Sequence, residues 1–390
     1  MVQSSARESE SALVVSSPVR HIAVEATRLL RERRGIGRYV RNVLRLIPSF
    51  RPDVRFTLFV RSLREAGAMR EHLLGVDPTL PDRTAIEPVS LLSRTSADVV
   101  WYAWNRVEPV ASRAAMVATI NDVASMLQLD HRWWKVVKRA KYRFRYGRAV
   151  RRADLVITIS EFTAREIQRL LHADPARIRV TLLGADDLPA PSGGGSAVLE
   201  KLGIDGPFFL AVGARDPRKN LATLHRAMEI LNGRREEVPL VECGPKDPGA
   251  GLPFVRYAGY VDDAELATLY RRATALVFPS LYEGFGLPVA EAMWAGGRVV
   301  CADASSLPEV VGEAGLLFPA HDAEALAERL ARLLDDADLR EKLTREGRVR
   351  AGRFRWAETA RRTLEVFDEA VVLRSRGAPE AALSSPAFRR

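Results

Sequence analysis

The sequence predicts an α/β protein built from two doubly wound parallel sheets that face a central cleft. Three observations carry this expectation. Short apolar runs alternate with amphipathic helical stretches from residue 21 onward, and the same alternation restarts after residue 197. Between the two series lies Pro189-Ala-Pro-Ser-Gly-Gly-Gly-Ser196, the clearest linker signal in the chain. The length of 390 residues suits two or three domains, at about 150 residues each.

The first series opens with a strand at 21–26. A helix follows at 36–47, with apolar residues at 36, 40, 43, 44 and 47 on one face. Further strands are expected at 55–60, 98–102, 116–120 and 155–159. Ser160 then suits the N-cap of a helix at 162–171. In the second series, strands are expected at 208–212, 239–243, 254–257, 275–278 and 298–302, with helices at 221–231 and 289–294. A long helix near 357–373 ends the ordered chain. Residues 1–18, which are polar and Ser-rich, and residues 376–390 read as disordered ends. The expected units are thus 19–188, a linker at 189–196, 197–355, and a final helix at 356–375. In open parallel sheets, ligands bind outside the carboxyl ends of the strands, so the cleft is the default site.

Composition excludes several classes. Hydrophobic residues make up 47% and charged residues 28%, an ordinary globular balance that rules out a mainly disordered chain, a coiled coil or a collagen-like rod. No apolar run approaches the roughly 18–20 residues of a membrane span. The apolar run at 12–15 is too short for a secretory signal and follows Glu8 and Glu10, so a cytoplasmic chain is expected. Cys243 and Cys301 each lie in an apolar strand-like run and read as buried thiols. Charge is uneven: residues 1–190 carry 32 Lys and Arg against 20 Asp and Glu, and the remainder 27 against 29. The basic half calls for an anionic partner: a phosphorylated substrate, an acidic membrane surface or nucleic acid.

Three constellations could carry chemistry. The segment Val212-Gly-Ala-Arg-Asp-Pro-Arg-Lys-Asn220 follows a strand and leads into a helix that Asn220 could cap. Arg215 and Lys219 would then stand beside a positive helix terminus, where a diphosphate can be held; a solvated basic turn is the plainer alternative. The segment 280–293 places Glu283 in a loop and Glu291 in the opening turns of a helix that Pro288 helps to start. Gly284 and Gly286 allow close backbone approach. Glu283 could accept hydrogen bonds from sugar hydroxyls and Glu291 from a ribose diol, unless Glu291 merely caps an unrelated helix. Third, residues 131–152 hold ten Lys and Arg and no acid. Trp133, Val137, Ala140 and Phe144 share one helical face, and Trp134, Tyr142 and Tyr146 add rings. This pattern suits docking on an anionic membrane, where each basic side chain contributes about 1 kcal/mol. It equally suits a core-packing helix with a basic outer face. RNA binding is a third option, although no RNA-binding module is readable.

Taken in order, these segments resemble the retaining glycosyltransferases of the family-4 type, also called glycosyl transferases group 1. Glu283–Glu291 matches their E-x7-E motif. Residues 212–220 look like their diphosphate segment, and Ile157-Thr-Ile-Ser-Glu-Phe162 like their inter-domain junction. Gly35-Ile-Gly-Arg-Tyr39 looks like their N-terminal glycine loop, and Ser305-Ser-Leu-Pro-Glu-Val310 also fits. The likeness spans roughly residues 20–373. It implies the GT-B fold, with two Rossmann-like domains and a C-terminal helix crossing back to the first.

The resemblance also assigns roles. Gly35, Gly37, Arg215, Lys219, Gly284, Phe285, Gly286, Leu287 and Glu291 would hold the nucleotide-sugar donor, and Asn121, Asp122 and Glu283 would serve the chemistry. Where the family has His-Asp, this chain has Asn121-Asp122. An asparagine can orient a sugar but cannot carry a proton near neutral pH. Gly296-Gly-Arg298 replaces the family's Gly-x-Pro in a strand-entry turn, with little functional meaning. No cofactor is expected. No metal is expected either: the one D-x-D match, Asp336-Ala-Asp338, reads as a solvated helical face, and the six histidines are scattered.

The expected reaction moves a hexose, with mannose from GDP-mannose favoured, to an acceptor hydroxyl in cell-surface polysaccharide or glycolipid assembly. A UDP-sugar donor, or a sugar-nucleotide epimerase on the same fold, is the alternative. A non-catalytic basic protein of the membrane surface or of RNA is the competing class. The acceptor would be a saccharide, soluble or lipid-linked, met at the cytoplasmic face of the membrane.

Overall fold

In the computed structural model, residues 19–32, 35–107, 112–127, 133–189, 196–213, 216–244 and 251–376 are described, without the side chains of 133–136 and 196. Of the expected disordered ends at 1–18 and 376–390, all but Arg376 lie outside the described residues, as do most of the linker and Arg215.

The first domain is built on β1 (His21–Glu25), β2 (Arg55–Val60), β3 (Thr84–Pro88), β4 (Val99–Tyr102), β5 (Ala115–Ile120), β6 (Leu155–Thr158) and β7 (Ile178–Val180). They form one parallel seven-stranded sheet in the order β3-β2-β1-β4-β5-β6-β7. Its helices are α1 (Ile36–Phe50), α2 (Ala66–Val76), α3 (Trp133–Arg152) and α4 (Glu161–Leu171). The second domain has β8 (Phe209–Val212), β9 (Leu240–Cys243), β10 (Val255–Gly259), β11 (Ala275–Phe278), β12 (Val299–Ala302) and β13 (Leu316–Phe318) in the order β10-β9-β8-β11-β12-β13. Its helices are α5 (Ser196–Lys201), α6 (Leu221–Asn232), α7 (Asp263–Arg272), α8 (Leu287–Trp294), α9 (Leu307–Val311), α10 (Ala323–Asp335) and α11 (Ala337–Ala351). Strand order reverses beside β1 in one sheet and beside β8 in the other, so each sheet opens a crevice at those carboxyl ends. Central strands such as β5 and β11 are buried at every residue, which is why they read as unbroken apolar runs.

Several elements went beyond the sequence pattern. β3, β7 and β13 are edge strands of three to five residues, too short to show a period. Helices α2, α7 and α10 were not expected either. Helix α1 runs to Phe50 and takes Pro48 into its last turn, where few amide bonds remain to be lost. Ser160 caps α4 as expected, accepting from Thr163 N at 3.0 Å. Asn220 stands at the start of α6, but its amide does not cap it. The backbone there is left-handed (φ +53°), and Nδ2 donates to the carbonyls of Pro279 and Ala320 instead.

The last helix, α12 (Trp356–Ser375), crosses from the second domain onto the first. Its Phe367 ring lies 5.6 Å from that of Trp101 on β4. Arg51 grips Asp368 with two 2.7 Å hydrogen bonds, and Arg374 reaches Asp154 at 3.3 Å. The helix starts hard against Gly184, where an added Cβ would lie 2.2 Å from Trp356 N. Gly184→Ala should therefore destabilise the protein by about 1–3 kcal/mol in denaturant melts. Gly75→Ala, in α2 with open space around it, should be neutral or stabilising by up to about 1 kcal/mol.

Candidate active site

The two domains touch at backbone level beside the carboxyl ends of β5 and β11. A Cβ on Gly284 would lie 2.1 Å from the Asn121 carbonyl oxygen and 3.0 Å from Asp122 Cβ, so only glycine fits. The Gly284 carbonyl accepts from Ser160 Oγ at 2.6 Å. Across the same seam the Glu309 carboxylate accepts from the amides of Glu161 and Phe162, at 2.8 and 2.9 Å, at the positive start of α4.

On this contact converge five of the twelve residues that the sequence singled out: Asn121, Asp122, Lys219, Glu283 and Gly284. Glu283 Oε1 lies 2.7 Å from Lys219 Nζ, and the ammonium stands 4.6 Å from the centre of the Phe278 ring. The Glu283 backbone is pinned on both sides: its N–H donates to Ser305 Oγ and its carbonyl accepts from Ser306 Oγ. Asp122 accepts from Ala124 N at 3.0 Å. Burial pushes its carboxyl up, with the fields of Glu283 and Asp216 adding to that and Arg218 opposing. Arg218, which sequence reasoning passed over, pairs with Asp216 and reaches both Asp122 and Glu283 electrostatically. Asn121 is buried; its Nδ2 donates to the Ala103 carbonyl at 2.9 Å and to Asn105 Oδ1 at 3.0 Å.

Glu291 stands deeper, 4% exposed. One carboxylate oxygen accepts from Arg38 Nη1 and the other from Tyr270 OH at 3.0 Å. Burial pushes the Glu291 carboxyl up, against the pull of Arg38. The same guanidinium grips Asp187 through Nε and Nη2, and Asn42 donates to Asp187 at 2.8 Å. Burial works against Asp187 too, but its bond to Arg38 prevails and its carboxyl falls below the usual range. Arg38 thus ties α1 to the segment after β7 and to α8. Its signal was inside the quoted Gly35–Tyr39 segment, where only the glycines were picked out. Gly35 takes φ +55° before α1, and Gly37 leaves room for the Glu32 carbonyl, which a Cβ would meet at 1.5 Å. Both glycines shape the turn that delivers Arg38.

Gly286, at φ +93°, turns the chain into α8, whose first residue Leu287 is half-buried. Phe285 is buried and meets Phe354 edge-on at 5.5 Å. Arg298 donates to the carbonyls of Ala273 and Thr274 and so ties the end of α7 to β12. Asp336 caps α11 through Leu339 N. Cys243 and Cys301 are buried and unbridged. Among the described residues no three His, Cys, Asp or Glu side chains are grouped to hold a metal ion.

Two parallel Rossmann-like sheets with a returning helix and a shared cleft define the GT-B fold. Residues 199–350, in the second domain, match the family described as Glycosyl transferases group 1. The chain is similar to the O-antigen chain mannosyltransferase B of Escherichia coli, with 36% identity over 231 residues that cover 55% of this chain and 60% of that protein. The chain therefore spans about 60% of that relative's length. Among solved structures it is similar to a sucrose-phosphate synthase from Thermosynechococcus elongatus (TM-score 0.70, 20% identity, covering 90% of this chain and 99% of that one). It is also similar to Anabaena HepE in complex with UDP and glucose (TM-score 0.66, 16% identity, covering 89% and 98%).

Arg38→Ala would leave buried Glu291 and half-buried Asp187 without their common cation. A loss of about 3–5 kcal/mol in denaturant-measured stability is expected. Because the Asp187 carboxyl is lowered in the folded state, its contribution is complete above the ordinary carboxylate pKa of about 4 and fades as pH falls through the folded value. That acid-side component should be smaller in the variant's stability profile, since only the donors other than Arg38 remain on Asp187.

Proposed function

We propose that the chain is a retaining glycosyltransferase that takes a hexose from a nucleoside-diphosphate sugar and attaches it to an acceptor hydroxyl. The observation that carries this reading is the Lys219–Glu283 pair at the mouth of the second sheet, beside Gly284, whose backbone lies against Asn121 and Asp122 of the first. In the reaction the bond from the anomeric carbon to the diphosphate breaks, a bond to the acceptor oxygen forms, and the hydroxyl proton leaves with the departing diphosphate. Lys219, with Arg215, supplies fixed positive charge where that diphosphate develops, so neither a metal nor another cofactor is required. Glu283 holds donor-sugar hydroxyls and keeps Lys219 in place. Asn121 and Asp122 position the sugar from the opposite wall. Glu291 takes the ribose diol with lone pairs that Arg38 and Tyr270 leave open.

Mannose from GDP-mannose is the favoured donor, supported by the similarity to an O-antigen mannosyltransferase. UDP-sugars are the second reading, favoured by the UDP and glucose held in the similar HepE structure. Release of GDP or UDP from a panel of sugar nucleotides, with and without saccharide acceptors, tests both. Lys219→Ala should weaken binding of the free nucleoside diphosphate about ten- to a hundredfold in calorimetry. Glu283→Gln should spare that binding and impair transfer, whereas Glu291→Gln should weaken the nucleotide itself. Wild-type transfer rates in both glutamine variants would remove the carboxylates from the reaction.

The acceptor meets the enzyme at an anionic membrane surface, on the cytoplasmic face. Helix α3 supports this reading by being divided along its length. Tyr146, Ala149 and Val150 are buried, but Val137 and Phe144 are 61% and 62% exposed, among exposed Lys138, Arg139, Lys141 and Arg143. No helix among the described residues is long and apolar enough to cross a membrane, so attachment would be peripheral. Vesicles with anionic lipid should sediment the protein at 0.1 M salt and retain less at 1 M, as the Debye length shrinks from about 10 to about 3 Å. Reversing Lys138, Arg139, Lys141 and Arg143 to Glu should abolish sedimentation while the melting temperature holds. Failure of the wild type to sediment at low salt would make a soluble acceptor the better reading.

A further inference from the structure

A cavity of two adjoining chambers runs along α12 from the first domain to the second. The first chamber, of about 460 Å³, lies between α4, the edge strand β7 and α12. The second, of about 600 Å³, has Val180 and Leu182 on one side and Glu309, Arg350, Arg353 and Arg355 on the other. Glu161, Val180 and Arg362 border both chambers. Neither is lined by Lys219, Glu283 or Glu291. Each has the size of a small-molecule site, about 300–1,000 Å³.

The second chamber holds more positive charge than its own carboxylates match. The Glu309 carboxylate is occupied by the amides of Glu161 and Phe162. That of Glu358 is occupied by Arg361 and Arg362, at 2.8 and 2.6 Å. Arg350 donates to the carbonyls of Val310, at 3.0 Å, and Glu309. Arg353 and Arg355 have no carboxylate or carbonyl partner for their guanidiniums among the described residues. Arg355 lies over the Trp294 ring, 5.5 Å from its centre, which places the guanidinium without neutralising it. Arg353 is exposed and acts on Arg350 as a like charge. Two unmatched guanidiniums on one wall suit the oxygens of a phosphate. In the first chamber Thr181 is 1% exposed, and its Oγ1 is buried without a hydrogen-bond partner. Such a hydroxyl is costly until a ligand group meets it. Glu161, on the border, adds a carboxylate that accepts from hydroxyls.

We infer that this cavity is a second ligand site, separate from the donor cleft, for a phosphate ester of a hydroxylated small molecule. Arg353 and Arg355 hold the phosphate, and Glu161 and Thr181 hold hydroxyls of the body. The order of groups along the cavity sets this chemistry: cations in the second chamber, a carboxylate at the border, a hydroxyl in the first. A ligand seated there bridges the two domains and α12 where that helix crosses between them. The inference does not depend on the transferase reading, because no residue of the donor site takes part.

Calorimetry on the full chain tests this with ribose, ribose 5-phosphate, AMP and inorganic phosphate. All four are titrated into Lys219→Ala protein, so that the donor cleft does not compete for phosphate. Ribose 5-phosphate should bind about tenfold or more tightly than ribose. Arg353→Glu, at an exposed position with no partner to lose, should keep the melting temperature and remove most of that advantage. Thr181→Val should weaken ribose 5-phosphate, spare inorganic phosphate, and leave the ligand-free melting temperature equal or higher, because it deletes an unsatisfied buried hydroxyl. AMP binding more tightly than ribose 5-phosphate would assign the site to nucleotides, and equal binding to sugar phosphates. Equal affinity for ribose and ribose 5-phosphate, or a phosphate advantage that survives Arg353→Glu, would overturn the inference.

Discussion

Two backbones meet where Gly284 lies against the carbonyl of Asn121, and the rest of the site depends on that contact. It leaves no room for a methyl group, so the walls of the cleft are set by main chain rather than by adjustable side chains. Ser160 Oγ then fastens the Gly284 carbonyl to the cap of α4, and Ser305 and Ser306 hold the preceding residue, Glu283, by its own amide and carbonyl. The charged side chains therefore project from a frame with little freedom. Geometry held this closely is what positioning a reacting bond requires.

Electrostatics around the frame is divided into two zones. Near the seam, Asp122, Asp216 and Glu283 are balanced by Lys219 and Arg218, and the Asp122 carboxyl is held up by burial. Deeper in, a single guanidinium serves half-buried Asp187 and buried Glu291, whose carboxyls move in opposite directions. The difference follows from bonding: Asp187 receives two of the Arg38 donors and Asn42, while Glu291 receives one and a tyrosine hydroxyl. Such an arrangement is retained more readily for register between domains than for net stability.

Much of this was legible in the sequence, because the parts that define the fold are periodic and the parts that define the site are contiguous. The central strands are unbroken apolar runs, and Lys219, Glu283 and Glu291 fall in two short segments whose turn and helix-start residues can be read directly. What escaped was long-range or brief. Arg38 finds Asp187 and Glu291 across 149 and 253 residues of chain, and no local pattern announces such partners. β7 and β13 have three residues each, below any period. Asn220 has the composition of a cap, yet its backbone is left-handed and its amide serves two distant carbonyls, so the cap was right in position and wrong in bonding. The basic stretch at 131–152 could not be resolved by pattern, because α3 is core at one end and surface at the other.

The crossing of α12 has a consequence for how the molecule is made. Trp101, Val19, Arg51 and Asp154 of the first domain all complete their contacts with residues 367–374. A growing chain finishes the strands of the first sheet by residue 180, but the helix that covers them emerges only after the whole second domain. At about 5–20 residues per second, the uncovered surface waits roughly ten to forty seconds. Nascent first domains are therefore exposed to chaperones and proteases for far longer than their own length would require, and the last helix acts as the latch that ends that exposure.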